Sequence, residues 1–296
     1  MFNPTKITSI LKNLPSPIYK IAAQSWIDLD FPRHIFIEVT ASCNLSCEYC
    51  PREKRNENMD FTLFKRIVDE CNGYGPRSFS LHLFGEPLLY PFILDAIKYI
   101  KEKDKRHTIL LTTNGTLLNK FIDPLLDLKV DRIIWSWRRN NFTARTIRLF
   151  KKVGMVRLLV EETPPEEFEK WKTFPRVEIK HLHNYGGHID TAKWGVKTEE
   201  ERWPCYHLWL APAIRWNGDI TICCNDPKGS ESICNYSGDN NLHSFWSSPR
   251  LHSIRQAHLN GQYTGLCKGC DSYKAYPDIF FSFQRKTCQK HSQSSS

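Results

Sequence analysis

Short β-rich runs alternate with amphipathic helical segments between residues 34 and 183. The β-rich runs are, in order, HIFIEVT, SFSLHLFG, HTILLTT, DRIIWSW, VRLLVEE and VEIKHLH. Successive β-α units form a parallel sheet with right-handed crossovers. Runs that are apolar on both faces are typical of parallel strands covered by helices. Because there are six units rather than eight, the pattern predicts an α/β fold with an open, partial (β/α)6 TIM-like barrel.

A different pattern follows residue 184. LAPAIRW and DITICC flank Asn217-Gly218, a pair typical of a tight two-residue hairpin turn. NLHSFWSSPRLHSIRQAHLNG predicts a helix interrupted before Pro249, and GLCKGCDSY predicts a cysteine-bearing loop. We therefore expect five regions: an N-terminal extension (1–33), the partial barrel (34–184), a connector (185–204), a small domain of β-hairpin plus helix (205–275) and a polar tail (276–296).

Eleven cysteines are many for a chain of 296 residues that shows no secretory signal and no apolar run of membrane-spanning length. These features predict a cytoplasmic protein without a membrane segment. In a reducing compartment, thiols in such number indicate metal or redox chemistry rather than disulfides. The net charge of +9 favours an acidic partner, although the basic residues are scattered along the chain.

The first cysteine cluster, CNLSCEYC, follows directly after the first predicted strand. It places Cys43, Cys47 and Cys50 in a C-x3-C-x2-C array. A structural zinc ion takes four ligands, and no fourth ligand lies nearby in the sequence. Three thiolates can instead hold a 4Fe-4S cluster whose fourth iron stays open to another ligand. The array therefore predicts such a cluster.

With Tyr49 at the aromatic position, this array resembles the signature of the radical S-adenosylmethionine (SAM) superfamily. The resemblance covers about residues 34–183. It implies that a reduced cluster donates an electron to SAM at its open iron. SAM would then be cleaved to methionine and a 5′-deoxyadenosyl radical, which abstracts hydrogen from the substrate.

The resemblance also implies a SAM-binding set at the strand ends, namely Gly85, Glu86, Pro87, Asn114 and Ser136. In FGEP, Gly85 and Glu86 would bind the methionine amino group and Pro87 would shape the turn, although Phe84 replaces the usual first glycine. Asn114 ends the third strand in TTNG, and Ser136 takes the fourth-strand position. Other polar residues at this rim are Glu161, Glu162, His183 and Asn184. Of these, we expect Glu161, Glu162 and His183 to be solvated strand ends.

A second set of cysteines resembles the C-terminal SPASM/Twitch extension of the same superfamily, over about residues 200–275. The resemblance implies a second, auxiliary 4Fe-4S cluster held by Cys205, Cys223, Cys267 and Cys270. Tyr276 and Phe280 stand where a full SPASM domain has further cysteines, so we expect a single auxiliary cluster. A zinc ion on the same four thiolates is the alternative.

The other cysteines have separate interpretations. Cys71 falls on the apolar face of a predicted helix, and Cys288 lies in the polar tail. Strand alternation in DITICC places Cys224 on the face of two isoleucines, which predicts a core position. Cys234, in the following loop, is either an inert thiol or a hydrogen-atom donor that would make the enzyme an epimerase.

For the substrate we expect a polar small molecule or a carbohydrate-like compound that is oxidised or epimerised, because the segment before the barrel is too short for a leader-peptide-binding domain. A ribosomally made peptide or protein is the alternative. A third interpretation is an RNA-binding protein that uses Trp135, Trp137, Arg138 and Arg139. Since there is no continuous basic stripe, we do not expect nucleic acid. A reductant such as flavodoxin or ferredoxin is the expected partner of the basic surface.

Overall fold

The computed structural model describes residues 30–136, 153–172, 174, 176–196, 204–205 and 207–271. Its barrel strands β1–β6 are His34–Ile37, Ser78–Ser80, Thr108–Thr113, Arg132–Ser136, Gly154–Leu159 and Val177–Lys180. Each of these strands pairs in parallel with the next. The expected partial β/α barrel is therefore confirmed.

The helices that cover the sheet follow the strands as the sequence predicts. α1–α4 are Phe61–Asn72, Ile93–Lys103, Leu118–Asp127 and Pro165–Lys172. Asp60 caps α1 by accepting the backbone N–H groups of Thr62 and Leu63. Cys71 lies fully buried on the inner face of α1, which confirms its core position. The helix expected between β4 and β5, most of the N-terminal extension and the polar tail lie outside the described residues.

The C-terminal region contains α5 (His207–Leu210), β7 (Ala213–Ile214), β8 (Asp219–Thr221), β9 (Ser232–Asn235), α6 (Leu242–Trp246) and α7 (Pro249–Leu259). The predicted interruption before Pro249 separates α6 from α7. Pro249 occupies the first turn of α7, where a missing N–H costs no hydrogen bond. The side chain of Ser248 caps the same helix by accepting the Leu251 N–H.

The β7–β8 hairpin differs from the predicted two-residue turn, because its loop has one more residue. The Arg215 N–H donates to the Asp219 carbonyl at 2.8 Å, and the Gly218 N–H donates to the Arg215 carbonyl at 2.9 Å. Gly218 has a φ of +90°, whereas Asn217 keeps a negative φ. A three-residue hairpin loop needs left-handed backbone only at its last position, which explains why glycine stands there.

The C-terminal hairpin continues the barrel sheet. β7 pairs in parallel with β1, with Phe36 opposite Ala213 and Ile37 opposite Ile214. Among the described strands, the result is one nine-stranded sheet of order β6-β5-β4-β3-β2-β1-β7-β8-β9. The hydrophobic core is likewise continuous, since Ile214 and Trp246 belong to the same buried cluster as Ile35.

Candidate functional site

The first three cysteines lie on a loop at the carboxyl end of β1. Arg52 fastens this loop, because its Nη2 donates to the carbonyls of Cys43 at 3.2 Å and Leu45 at 2.9 Å. The thiols of Cys43, Cys47 and Cys50 are all partly exposed, and all three line one cavity. Burial raises the pKa of Cys50, and the neighbouring thiols add to that effect. Three soft sulfur donors around one opening fit a 4Fe-4S cluster.

Gly85 brings the end of β2 against this loop. A Cβ at this position would collide with the Thr40 carbonyl and press on the Ser42 carbonyl. The next residue, Glu86, donates its backbone N–H to Ser42 at 2.7 Å. Only glycine permits this close backbone approach, which explains why a glycine stands directly before Glu86.

The Glu86 carboxylate is buried at the cavity edge and is held by donors from two strand ends. Its Oε1 accepts the Thr113 hydroxyl at 2.7 Å and the Leu88 N–H at 3.2 Å. Its Oε2 accepts the Asn114 N–H at 2.7 Å and keeps one acceptor position. Burial raises the Glu86 pKa, whereas these three hydrogen bonds oppose the rise. The carboxylate is thus oriented toward the cavity with capacity for one further donor.

Asn114 connects the end of β3 to the cysteine loop. Its Nδ2 donates to Asn44 Oδ1 at 2.8 Å and lies 3.8 Å from Cys43 Sγ. Ser136, at the end of β4, lines the same cavity, while Pro87 begins a short 3-10 turn, Pro87–Leu89. Four of the five residues predicted to bind SAM therefore line the cavity that the cysteine loop borders, and Pro87 starts the turn directly behind Glu86.

The cavity enclosed by the barrel has a volume of about 240 Å³. Two of the histidines that line it, His82 and His183, have pKa values lowered to about 3, chiefly because burial disfavours the charged ring. Both rings are therefore neutral at physiological pH. His183 is the member of the predicted rim set that reaches the cavity. Glu161 instead pairs with His181, at 2.7 Å.

The far wall of the cavity carries charged residues that the sequence analysis did not single out. Arg157 on β5 and Lys180 on β6 line the cavity, and both contact Glu178. Arg157 Nε lies 2.6 Å from Glu178 Oε2, and Lys180 Nζ lies 3.3 Å from Glu178 Oε1. Charged side chains in the middle of otherwise apolar strands were the available signal, because a parallel strand interior rarely accepts them.

The second set of cysteines surrounds a separate, smaller cavity. Its lining includes all four predicted ligands, Cys205, Cys223, Cys267 and Cys270, together with apolar side chains and two histidines. Burial and the nearby thiols of Cys267 and Cys270 raise the pKa of Cys205. The Asn225 N–H donates to Cys223 Sγ at 3.3 Å, a contact that stabilises a thiolate. Four sulfur donors in an apolar setting fit an iron–sulfur cluster.

The thiols surround these cavities rather than meeting at one point. Among the residues that the structure describes, no three histidine, cysteine or acidic side chains are grouped as ligands of one metal ion would be. In a cluster, each thiolate binds a different iron atom, so its ligands stand apart.

Two further thiols take different positions. Cys224 is partly buried against Phe36 and Ala211, yet it also lines the barrel cavity, so the predicted core position describes only part of its surroundings. Its Sγ lies 3.8 Å from His207 Nε2. Cys234 lies on β9 opposite Ile220 and is absent from the lining of both cavities described above.

A polar contact joins the barrel to the loop of the last two cysteines. The Asn184 N–H donates to Asp271 Oδ1 at 2.8 Å, and Asn184 Nδ2 donates to the Gly269 carbonyl at 2.6 Å. Gly186 packs directly against Leu266. Asn184 therefore takes part in a contact that spans 87 residues and leaves no local signal in the sequence.

Of the four residues that an RNA-binding protein would use here, Trp135 lies within the described part of the chain. Trp135 is buried, with 1% of its surface exposed, and its ring packs edge-on against Trp171. It is therefore a core residue with no face free for a base. Residues 137–139 lie outside the described part of the chain. No helix within the described ranges is long and apolar enough to cross a membrane.

Comparison with known families identifies two segments. Residues 37–136 match the family model of the radical SAM superfamily. Residues 205–271 match the SPASM model, described as an iron–sulfur cluster-binding domain. The two matches contain the first and the second set of cysteines, respectively.

Curated relatives match about a third of this chain. A probable GTP 3′,8-cyclase of Methanococcus maripaludis is 37% identical over 105 residues, which is 34% of this chain and 35% of the relative. A tungsten-containing aldehyde ferredoxin oxidoreductase cofactor-modifying protein of Pyrococcus furiosus is 30% identical over 110 residues, 35% of this chain and 30% of the relative. The alignments thus span about a third of each curated relative.

Solved structures share the fold over most of the chain. BtrN in complex with AdoMet and 2-DOIA has a TM-score of 0.63 at 20% identity, covering 81% of this chain and 93% of BtrN. Streptococcus suis SuiB bound to the precursor peptide SuiA has a TM-score of 0.61 at 18% identity, covering 86% of this chain and 73% of SuiB. At these identities the likeness shows the fold alone.

Proposed function

Since the chain belongs to the radical SAM superfamily and carries a SPASM iron–sulfur cluster-binding domain, we propose that it abstracts hydrogen from a polar small-molecule or carbohydrate-like substrate in the barrel cavity. The observation that carries the proposal is a single cavity. It is lined by the three cysteines of the first loop, by the SAM-binding rim and by polar groups of the barrel wall.

We assign Cys43, Cys47 and Cys50 as ligands of the 4Fe-4S cluster, and Gly85, Glu86, Pro87, Asn114 and Ser136 as the SAM-binding rim. When bound together, the cluster and SAM supply a 5′-deoxyadenosyl radical. Glu86 would accept a hydrogen bond from the SAM ammonium group at the free acceptor position of its Oε2. Gly85 allows that carboxylate to approach the cluster loop, and Asn114 fixes the end of β3 to the same loop.

We further propose that Cys205, Cys223, Cys267 and Cys270 hold one auxiliary 4Fe-4S cluster. The SPASM match supports iron–sulfur over zinc. Four cysteine ligands leave no open iron, so this centre suits the passage of an electron rather than the binding of substrate. A reductant such as flavodoxin or ferredoxin would supply electrons to the enzyme, with the net charge of +9 favouring an acidic donor.

The barrel cavity supports the small-molecule proposal by its size, since a volume of about 240 Å³ is below that of ordinary ligand pockets and favours a compact substrate over an extended chain. A peptide or protein substrate is the alternative. The fold shared with SuiB, whose structure contains a precursor peptide, is compatible with that alternative. The two classes differ in a direct test: a peptide substrate must protect residues outside the cavity from hydrogen exchange, whereas a small molecule protects only the cavity wall and rim.

Anaerobic reconstitution followed by iron and sulfide analysis tests the cofactor assignment. Two clusters require about eight irons per chain, whereas one cluster plus zinc gives about four. Alanine at Cys43, Cys47 and Cys50 together should abolish reductive SAM cleavage and leave about four irons. Retained cleavage in this triple variant would reject the proposed function.

A further inference from the structure

His258 lies on α7 and lines the smaller cavity together with the four cysteines assigned to the auxiliary cluster. The residue is buried, with 2% of its surface exposed. The Cys205 N–H donates to His258 Nδ1 at 3.3 Å, so the ring contacts the backbone of one of the four cysteines. The ring of Tyr263 packs edge-on against it, with the two ring centroids 4.8 Å apart. His258 is therefore held in a defined position beside the proposed cluster.

The contact with Cys205 determines which ring nitrogen of His258 carries the proton. A backbone N–H can only donate, so Nδ1 is the acceptor and carries no proton. The proton of the ring therefore lies on Nε2, since the hydrogen bond made by one nitrogen sets the state of the other. Nε2 is itself buried. His258 thus brings a buried N–H donor to a cavity that four thiols line.

Two other polar groups at this cavity have a different geometry. His207 also lines it, but its Nε2 lies 3.8 Å from Sγ of Cys224, a thiol of the barrel cavity. The Asn225 N–H donates to Cys223 Sγ at 3.3 Å, so a backbone donor already reaches one thiol of the set. A side-chain donor from His258 would add a second hydrogen bond to the sulfur atoms of this site.

Resting on the proposed function, we propose that His258 tunes the auxiliary cluster by donating its Nε2–H to a sulfur atom of that centre. Reduction adds one negative charge to the cluster, so a hydrogen-bond donor stabilises the reduced form more than the oxidised form. The cavity is also lined by apolar side chains, and such surroundings strengthen a hydrogen bond. His258 would therefore raise the reduction potential of the auxiliary cluster and favour its acceptance of an electron.

The test is an anaerobic redox titration of the full chain with both clusters reconstituted, followed by electron paramagnetic resonance. The auxiliary signal is the one that persists when Cys43, Cys47 and Cys50 are all replaced by alanine. Two variants separate the contributions of the two ring nitrogens. In His258→Asn, the side-chain carbonyl can accept the Cys205 N–H as Nδ1 does, but no donor stands at the position of Nε2. In His258→Gln, the longer side chain can place its amide N–H group near that position.

We expect His258→Asn to lower the equilibrium constant for one-electron reduction of the auxiliary cluster about tenfold, which corresponds to about 59 mV. His258→Gln should recover most of that loss. His252→Asn, at an exposed position of α7, is the matched control and should leave the potential unchanged. If His258→Asn also leaves the potential unchanged, or if the Asn and Gln variants lower it equally, the proposal is overturned.

A measurement on the wild-type protein decides the question if the substitutions cause loss of the cluster. The protein is prepared with histidine that is isotope-labelled at the ring nitrogens, and the reduced auxiliary cluster is studied by pulsed hyperfine spectroscopy. We expect a weak coupling to a histidine ring nitrogen and to an exchangeable proton, as a hydrogen bond to the cluster requires. Absence of both couplings would overturn the proposal.

Failure of the proposed function would be recognised separately. Wild-type protein with about four irons and a zinc ion per chain would lack the auxiliary cluster, so the assignment of that cluster and the role of His258 would fail together. Protein with about eight irons that cleaves SAM, but shows neither the shift in potential nor the couplings, would contradict the role of His258 alone.

Discussion

Cys223 and Cys224 are joined by one peptide bond, yet their side chains line different cavities. β8 ends at Thr221, and the Cys223 carbonyl accepts the Asp226 N–H at 3.4 Å, which turns the chain. The turn directs Cys223 toward the other three cysteines of the smaller cavity. Cys224 points to the barrel, beside His207. The two adjacent thiols therefore line two neighbouring cavities.

Replacing these two thiols should have different effects on metal content. We expect Cys223→Ala to lower the iron content of reconstituted protein from about eight to about four per chain, because one ligand of the auxiliary cluster is lost. Cys224→Ala should keep about eight. Iron and sulfide analysis with electron paramagnetic resonance of the reduced protein checks both values. Equal loss in the two variants would contradict the assignment.

Glu86→Gln should weaken SAM binding by about tenfold, because a neutral amide cannot balance the ammonium charge at the Oε2 position. The iron content should not change, since Glu86 contacts the strand ends rather than the thiols. Equilibrium dialysis with labelled SAM measures the affinity. Glu102→Gln, on the exposed face of α2, is the matched control and should bind SAM as the wild type does.

Gly85→Ala should destabilise the rim, because the added Cβ collides with the Thr40 carbonyl. We expect a loss of about 1–3 kcal/mol in the free energy of unfolding, together with weaker SAM binding. Chemical denaturation measures the first quantity. Gly75→Ala is a useful control, since its Cβ meets open space and its cost comes only from a φ of +83°. SAM binding by that control should be unchanged.

The order of the barrel strands could be predicted from the sequence because each β-α unit is local. Apolar runs, helix caps such as Asp60 and the proline that begins α7 are all properties of neighbouring residues. The two sets of cysteines were recognised for the same reason, since their spacing within loops is a sequence property. The cavity that Cys43, Cys47 and Cys50 line could not be predicted from their spacing, because its other walls come from distant strands.

The sequence-based predictions were incomplete in two situations. In one, a strand pattern was continued beyond the end of the strand; in the other, the contacts join residues that are distant in the sequence. Strand alternation was carried past Thr221, although β8 ends there, and this placed Cys224 in the core. Arg157 and Glu178 become partners only through the register of β5 and β6. His183 was expected to be a solvated strand end but lines the cavity. The Asn184 contact could not be foreseen, because its partner, Asp271, lies 87 residues away in the sequence.

The parallel pairing of β1 with β7 connects the two groups of cysteines. β1 leads into the first cysteine loop, and β7 leads through β8 to Cys223. The backbone hydrogen bonds from Phe36 to Pro212 and from Glu38 to Ile214, at 3.0 Å and 2.8 Å, hold these strands side by side. The spacing between the two groups of thiols is therefore set by the backbone pairing of β1 with β7. A change in the register of β1 against β7 would therefore move one group of thiols relative to the other.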